Sequence, residues 1–129
     1  MGTKERIFAY RLKGYCCSQI IMAMALEDMG RGENPDLIAA MGGFCDGLHE
    51  GRLCGTLAAA ICVLYIAEPY EADRTLRAEI MDWFLDLYGS YECEEITGGK
   101  PLNKHSICPP MLVAVYERLL DIALEARMG

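Results

Sequence analysis

Basic residues are scarce in this chain: 12 Lys plus Arg stand against 19 Asp plus Glu over 129 residues, a formal charge of −7. Nucleic-acid binding works by neutralising phosphates and leaves a basic footprint; no such cluster is present, so no nucleic-acid partner is expected. Long apolar runs are missing too. Although 53% of the residues are hydrophobic, the longest uncharged stretch, Leu53 to Ala67, falls short of the roughly 18 to 20 residues a membrane span requires. It reads as a buried helix. The opening residues MGTKERIFAYRLKG hold no hydrophobic signal segment and no twin-arginine pair. Arg6 stands where N-myristoylation would want Ser or Thr, and the carboxyl end ARMG offers no prenylation cysteine. Export is not expected, and the reducing cytoplasm is the expected compartment.

Missing spacings narrow the role of the cysteines. Seven in 129 residues is below the roughly 8 to 10% of a disulfide scaffold, and the number is odd. In a reducing compartment such cysteines are expected as metal ligands, redox catalysts or buried apolar residues rather than permanent staples. No C-x-x-C occurs, which removes the thioredoxin-type pair, the common zinc-knuckle spacing and covalent haem attachment. The closely spaced cysteines of ferredoxins are also lacking. Gly98, Gly99 and Lys100 do not make a phosphate loop, because Glu94 occupies the first glycine position and Pro101 the Ser or Thr position.

What is present is helical punctuation. Periodicity predicts an all-α, single-domain bundle over residues 1–129, with about five helices around an apolar central one and no period-two pattern long enough for a sheet. The first helix starts at about Thr3 as N-cap and carries Ile7, Phe8, Leu12 and Tyr15 on one side. A second runs from Cys16 and Cys17 to Gly30 and Gly32; its Met22, Met24 and Met29, together with Met41 beyond it, are read as core filler. Asn34, Pro35 and Asp36 begin a short helix that Gly42 and Gly43 end. After the loop FCDGLHEGR, LCGTLAAAICVLYIAE is hydrophobic all round, which predicts cover on every side. Pro69 ends it. From about Glu71 to Tyr88, Leu76, Ile80, Trp83, Phe84 and Leu87 line one face while Arg77, Asp82 and Asp86 lie outside it. Ser90 to Ile107 is expected to be mostly irregular, and Cys108, Pro109 and Pro110 to open a last helix with Leu112, Val115, Leu119 and Ile122 inside.

On this outline Cys17, Cys54 and Cys108 fall at or near helix N-termini, where free N–H groups and the dipole favour a thiolate. Cys93 lies in the long loop, beside Glu92, Glu94 and Glu95, which oppose its ionisation. Free cysteine is also among the most buried residue types, and core packing is the reading for Cys62, which sits among Ile61, Val63 and Leu64. Cys16 adjoins Cys17 but points about 100° away from it, and Cys45 is a spare or resolving thiol in the glycine-rich loop. His105, three before Cys108, and His49, five before Cys54, are read as solvent-facing loop residues. In a functional role, either would be an alternative metal ligand or a proton donor to a thiolate.

These residues resemble the bacterial and archaeal family of redox-active proteins named for its pattern C_GCAxxG_C_C, over nearly the whole chain. Its four cysteines fall on Cys17 in CCSQIIMA, Cys54 in LCGTLAAA after the stretch MGGFCDGLHEG, Cys93 in YECEEITG, and Cys108 before the last helix. Ala59 stands where the family has its later glycine and Thr56 where it has alanine; Cys16 and Cys45 are additions. The resemblance implies a redox role, and similar domains accompany split-Soret cytochromes.

Two chemistries fit four such cysteines if they converge. Cys17, Cys54, Cys93 and Cys108 are candidate metal ligands for an iron–sulfur cluster or zinc, which would relieve the repulsion of crowded thiolates. The same four are candidate catalytic thiols of a cofactor-free exchange protein, with Cys54 or Cys17 attacking and Cys108 or Cys93 resolving. A redox partner follows from either. The alternative is a non-catalytic interaction or dimerisation module with buried structural cysteines, because high apolar content in a short chain leaves room for a homodimer interface.

Overall fold

The computed structural model describes residues 2–128 and is all-α, with no strand among those residues. Helices α1 (Thr3–Leu12), α2 (Cys17–Asp28) and α3 (Pro35–Met41) precede the glycine-rich segment, and α4 (Gly55–Ala67) follows it. Next, α5 (Pro69–Glu71) and a wide-turned stretch, Ala72–Leu76, run directly into α6 (Arg77–Tyr88), before α7 (Cys93–Thr97) and the long α8 (Pro101–Met128). No described helix is long and apolar enough to cross a membrane.

Local signals account for most of these boundaries. The Asn34 side chain caps α3 by accepting from the Leu37 N–H at 3.2 Å, with Pro35 in the first turn. Gly89, at φ +77°, ends α6 in the left-handed conformation that costs glycine least. Thr3 is the first helical residue rather than the cap, a position taken by Gly2. A larger difference concerns α8, which begins at Pro101 instead of Cys108. Pro109 and Pro110 therefore lie inside it, and their missing N–H groups leave the carbonyls of His105 and Ser106 without an i+4 donor. The stretch from Ser90 to Ile107 accordingly holds α7 and the first turns of α8, and is not mostly irregular.

The core lies where α4 packs against α2, α6 and α8. Ile20, Ile21, Met22 and Met24 from α2 are completely buried, as are Leu57, Leu64, Ile80 and Phe84, and the α8 stripe Leu112, Val115, Leu119 and Ile122. The cover over α4 is incomplete: Ile61 and Cys62 are half-buried and Tyr65 is exposed. On α1 only Ile7 is buried, while Phe8 and Leu12 are exposed, as is Leu87 on α6.

One polar tie joins three helices across this core. The ring of Tyr116 is fully buried, and its hydroxyl donates to Asp28, which also accepts from Arg6 at 3.0 Å. Burial opposes ionisation of Asp28, but the hydrogen bonds from Arg6 and Tyr116 outweigh it and hold the carboxyl below its usual range. Tyr116→Phe removes one bond to a charged group and is expected to cost about 1.5 to 3 kcal/mol in urea unfolding. A depressed carboxyl stabilises the fold above its unfolded pKa of about 3.9, and that contribution is lost as pH falls through the folded value. The penalty of Tyr116→Phe should therefore shrink in acid, and a penalty independent of pH below about 4 would refute the linkage.

Candidate functional site

Cys17 is the first residue of α2, behind Cys16 as N-cap. The Cys16 N–H donates to the Gln19 side-chain oxygen at 3.1 Å, which fixes the helix start. Packing of α8 on α2 brings the Cys108 thiol to the Cys17 sulfur. Interaction with Cys108 is the main cause lowering Cys17 to about 6; burial resists it, while Arg11, Thr56 and the Cys17 backbone N–H assist. Cys108 is pushed far up by the same interaction with Cys17 and by its partial burial.

A short antiparallel bridge, Leu53 opposite Glu92, positions the other two cysteines. The Cys54 N–H donates to the Tyr91 carbonyl at 2.8 Å and the Cys93 N–H to the Arg52 carbonyl at 2.6 Å. Cys54 is the N-cap of α4, buried, with its thiol donating to the Met111 sulfur at 3.8 Å. Burial pushes Cys54 up against the pull of the Leu57 and Thr56 amides, so the helix terminus expected to activate it is outweighed. Cys93 is half-buried and forms one wall of an open cleft of about 240 Å³ with Glu94, Thr97 and Lys104. Burial raises it as well; Lys104 opposes this, and Asp46, Cys17 and Glu94 add to it.

Four segments thus place their sulfurs within one another's electrostatic field, since charge on Cys17 and on Cys93 is felt at both Cys54 and Cys108. Of the four, Cys17 and Cys108 interact most strongly with each other. Among the described residues, no three His, Cys, Asp or Glu side chains are arranged to hold one metal ion, so the residues as placed do not fit the tetrahedral thiolate site that zinc requires. Cys62 stands apart, half-buried on α4. His105 is exposed on α8 and not in a loop; His49 is exposed, its Nε2 3.1 Å from the Gly42 carbonyl.

Two features escape sequence reasoning. Cys16 and Cys45 form a disulfide, with Cα atoms 6.0 Å apart across a sequence separation of 29, although staples were not the expected use of these cysteines. Ser18, fully buried, lies beside both sulfurs, at 3.3 and 3.7 Å. The available signal was that these are the two thiols left over once the family's four and the core-like Cys62 are set aside. Thr56 is the second: standing where the resemblance has alanine, it is among the groups that lower Cys17.

A family model described as "Putative redox-active protein (C_GCAxxG_C_C)" matches residues 15–122. No curated protein and no solved structure gives a significant match.

Proposed function

The chain belongs to the C_GCAxxG_C_C family of redox-active proteins, and we propose that it works by thiol–disulfide exchange centred on Cys17 and Cys108. The observation that carries this reading is the approach of the Cys108 thiol to the Cys17 sulfur where α8 packs on α2, which sets a thiol of lowered pKa beside one that keeps its proton. The Cys17 thiolate attacks one sulfur of a partner's disulfide, and the other sulfur leaves as a thiolate. Cys108 loses its proton to that leaving group or to solvent and attacks the Cys17 sulfur, which forms the Cys17–Cys108 bond and releases the second partner thiolate. Two electrons pass to the partner, and the reverse sequence recharges the pair. Cys54 and Cys93 supply the second exchangeable pair of the four. No step is routed through zinc or an iron–sulfur cluster; among the described residues, no three His, Cys, Asp or Glu side chains are grouped to hold a single metal ion.

Anaerobic purification, followed by iron, sulfide and zinc assay and then peptide mapping after mild oxidation, tests the reading. The expected result is a metal-poor protein that reversibly loses thiols in pairs, with Cys17 and Cys108 cross-linked. Stoichiometric iron with acid-labile sulfide, lost on Cys108→Ser, would replace exchange by ligation.

A further inference from the structure

The segment between α3 and α4 is tied down at several points. Cys45 is bonded to Cys16 at the start of α2, and Asp46 pairs with Lys104 on α8. The Arg52 N–H donates to the Gly47 carbonyl at 2.8 Å. Between these ties the backbone is strained. Asp46, Gly47, Leu48 and His49 take φ values of 54, 61, 62 and 63°, all left-handed, at roughly 1 to 2 kcal/mol for each residue that is not glycine. Such a run persists only where its surroundings over-determine it.

The strained run lies on Cys93. A Cβ added to Gly47 would stand 2.8 Å from the Cys93 Cβ, so the Gly47 backbone is packed directly on that side chain. Asp46 meanwhile occupies Lys104, which shares the open cleft with Cys93. Position and tension of this loop therefore depend on a disulfide that is itself reducible.

We propose that the Cys16–Cys45 disulfide is a redox latch that controls access to Cys93. While the bond is closed, the loop is held on Cys93 and Asp46 is held on Lys104. A dithiol reductant opens it: the S–S bond breaks, Cys16 and Cys45 take up two electrons and two protons, and the reductant becomes a disulfide. The left-handed run then relaxes, Gly47 lifts from Cys93, and the Lys104 ammonium is freed at the cleft mouth. The latch gains its meaning from the exchange function proposed above, because Cys93 is one of the four thiols of that site.

The test is the rate of iodoacetamide labelling at Cys93, read by peptide mass spectrometry on full-length protein whose other cysteines are reduced. With the Cys16–Cys45 bond intact, Cys93 should react about tenfold more slowly than in the Cys16→Ser, Cys45→Ser double variant, equivalent to about 1.4 kcal/mol of opening free energy. Cys62 should label equally in both. Wild-type protein, treated with dithiothreitol and freed of it anaerobically, should match the double variant, so the comparison survives a variant that fails to fold. Equal Cys93 rates with and without the bond overturn the latch, as does a map of oxidised protein lacking the Cys16–Cys45 bond. Absence of a Cys17–Cys108 cross-link would overturn the exchange reading while leaving the Cys93 rates to decide the latch.

Discussion

Replacing Cys108 with alanine should move the pH midpoint of Cys17 alkylation from about 6 up toward about 8.5, the ordinary value of a free cysteine. Interaction with Cys108 is the largest influence lowering Cys17, and its loss leaves a thiolate that burial destabilises, with Arg11, Thr56 and one backbone N–H in support. Thr56→Val should move the midpoint in the same direction but less far, since the Cys108 interaction survives. Reversible two-electron oxidation at Cys17 should be abolished by Cys108→Ala and retained in Thr56→Val. The midpoint is the informative measurement, because a thiolate of higher pKa is intrinsically more nucleophilic and recovers part of the rate lost through lower ionisation. A Cys17 midpoint that does not respond to Cys108→Ala would separate the two residues and remove the basis for pairing them.

This pairing also shows why the site was only partly legible. Helix starts and stops are local events, so Asn34 with Pro35, Gly42 with Gly43, and Gly89 mark α3 and the end of α6 at their true places. The same logic finds Cys17 and Cys54 at helix N-termini. It cannot weigh burial against the helix terminus, and at Cys54 burial prevails. The expectation that Cys108 opens a helix is wrong: Pro109 and Pro110 imitate a first turn, while α8 already runs from Pro101 and holds Cys108 inside it. Its position beside Cys17 is a product of α8 packing on α2, a long-range contact with no local signature. The Cys16–Cys45 bond is similar: it spans 29 residues and follows from α3 returning the chain to the start of α2. Exposed Phe8 and Leu12 mark the opposite error, where helical spacing of apolar residues overstates how much of α1 the core covers.

The glycines around Cys54 and Cys93 give the second large effect. Gly55→Ala would drive a Cβ into the carbonyl oxygen of Phe44, closer than real Cβ atoms come, and this neighbour is backbone that cannot rotate away. Gly47→Ala meets the Arg52 N at 2.6 Å and the Cys93 Cβ at 2.8 Å while holding φ +61°. Its cost combines the left-handed penalty of about 1 to 2 kcal/mol with overpacking of about 1 to 3 kcal/mol. With the Cys16–Cys45 bond intact, Gly47→Ala should therefore lose roughly 2 to 5 kcal/mol in urea unfolding, and Gly55→Ala, whose φ is not left-handed, roughly 1 to 3 kcal/mol. Gly43→Ala is the control: it has open space and no left-handed φ, so it should be neutral or stabilising by about 0.4 to 1 kcal/mol through the unfolded chain. Since Gly55 adjoins Cys54 and Gly47 packs on Cys93, the two costly variants should also disturb alkylation at those thiols before they disturb Cys62. If Gly55→Ala were as mild as Gly43→Ala, the Phe44 backbone would not lie on α4, and the close approach that sets Cys54 beside the glycine-rich loop would be lost with it.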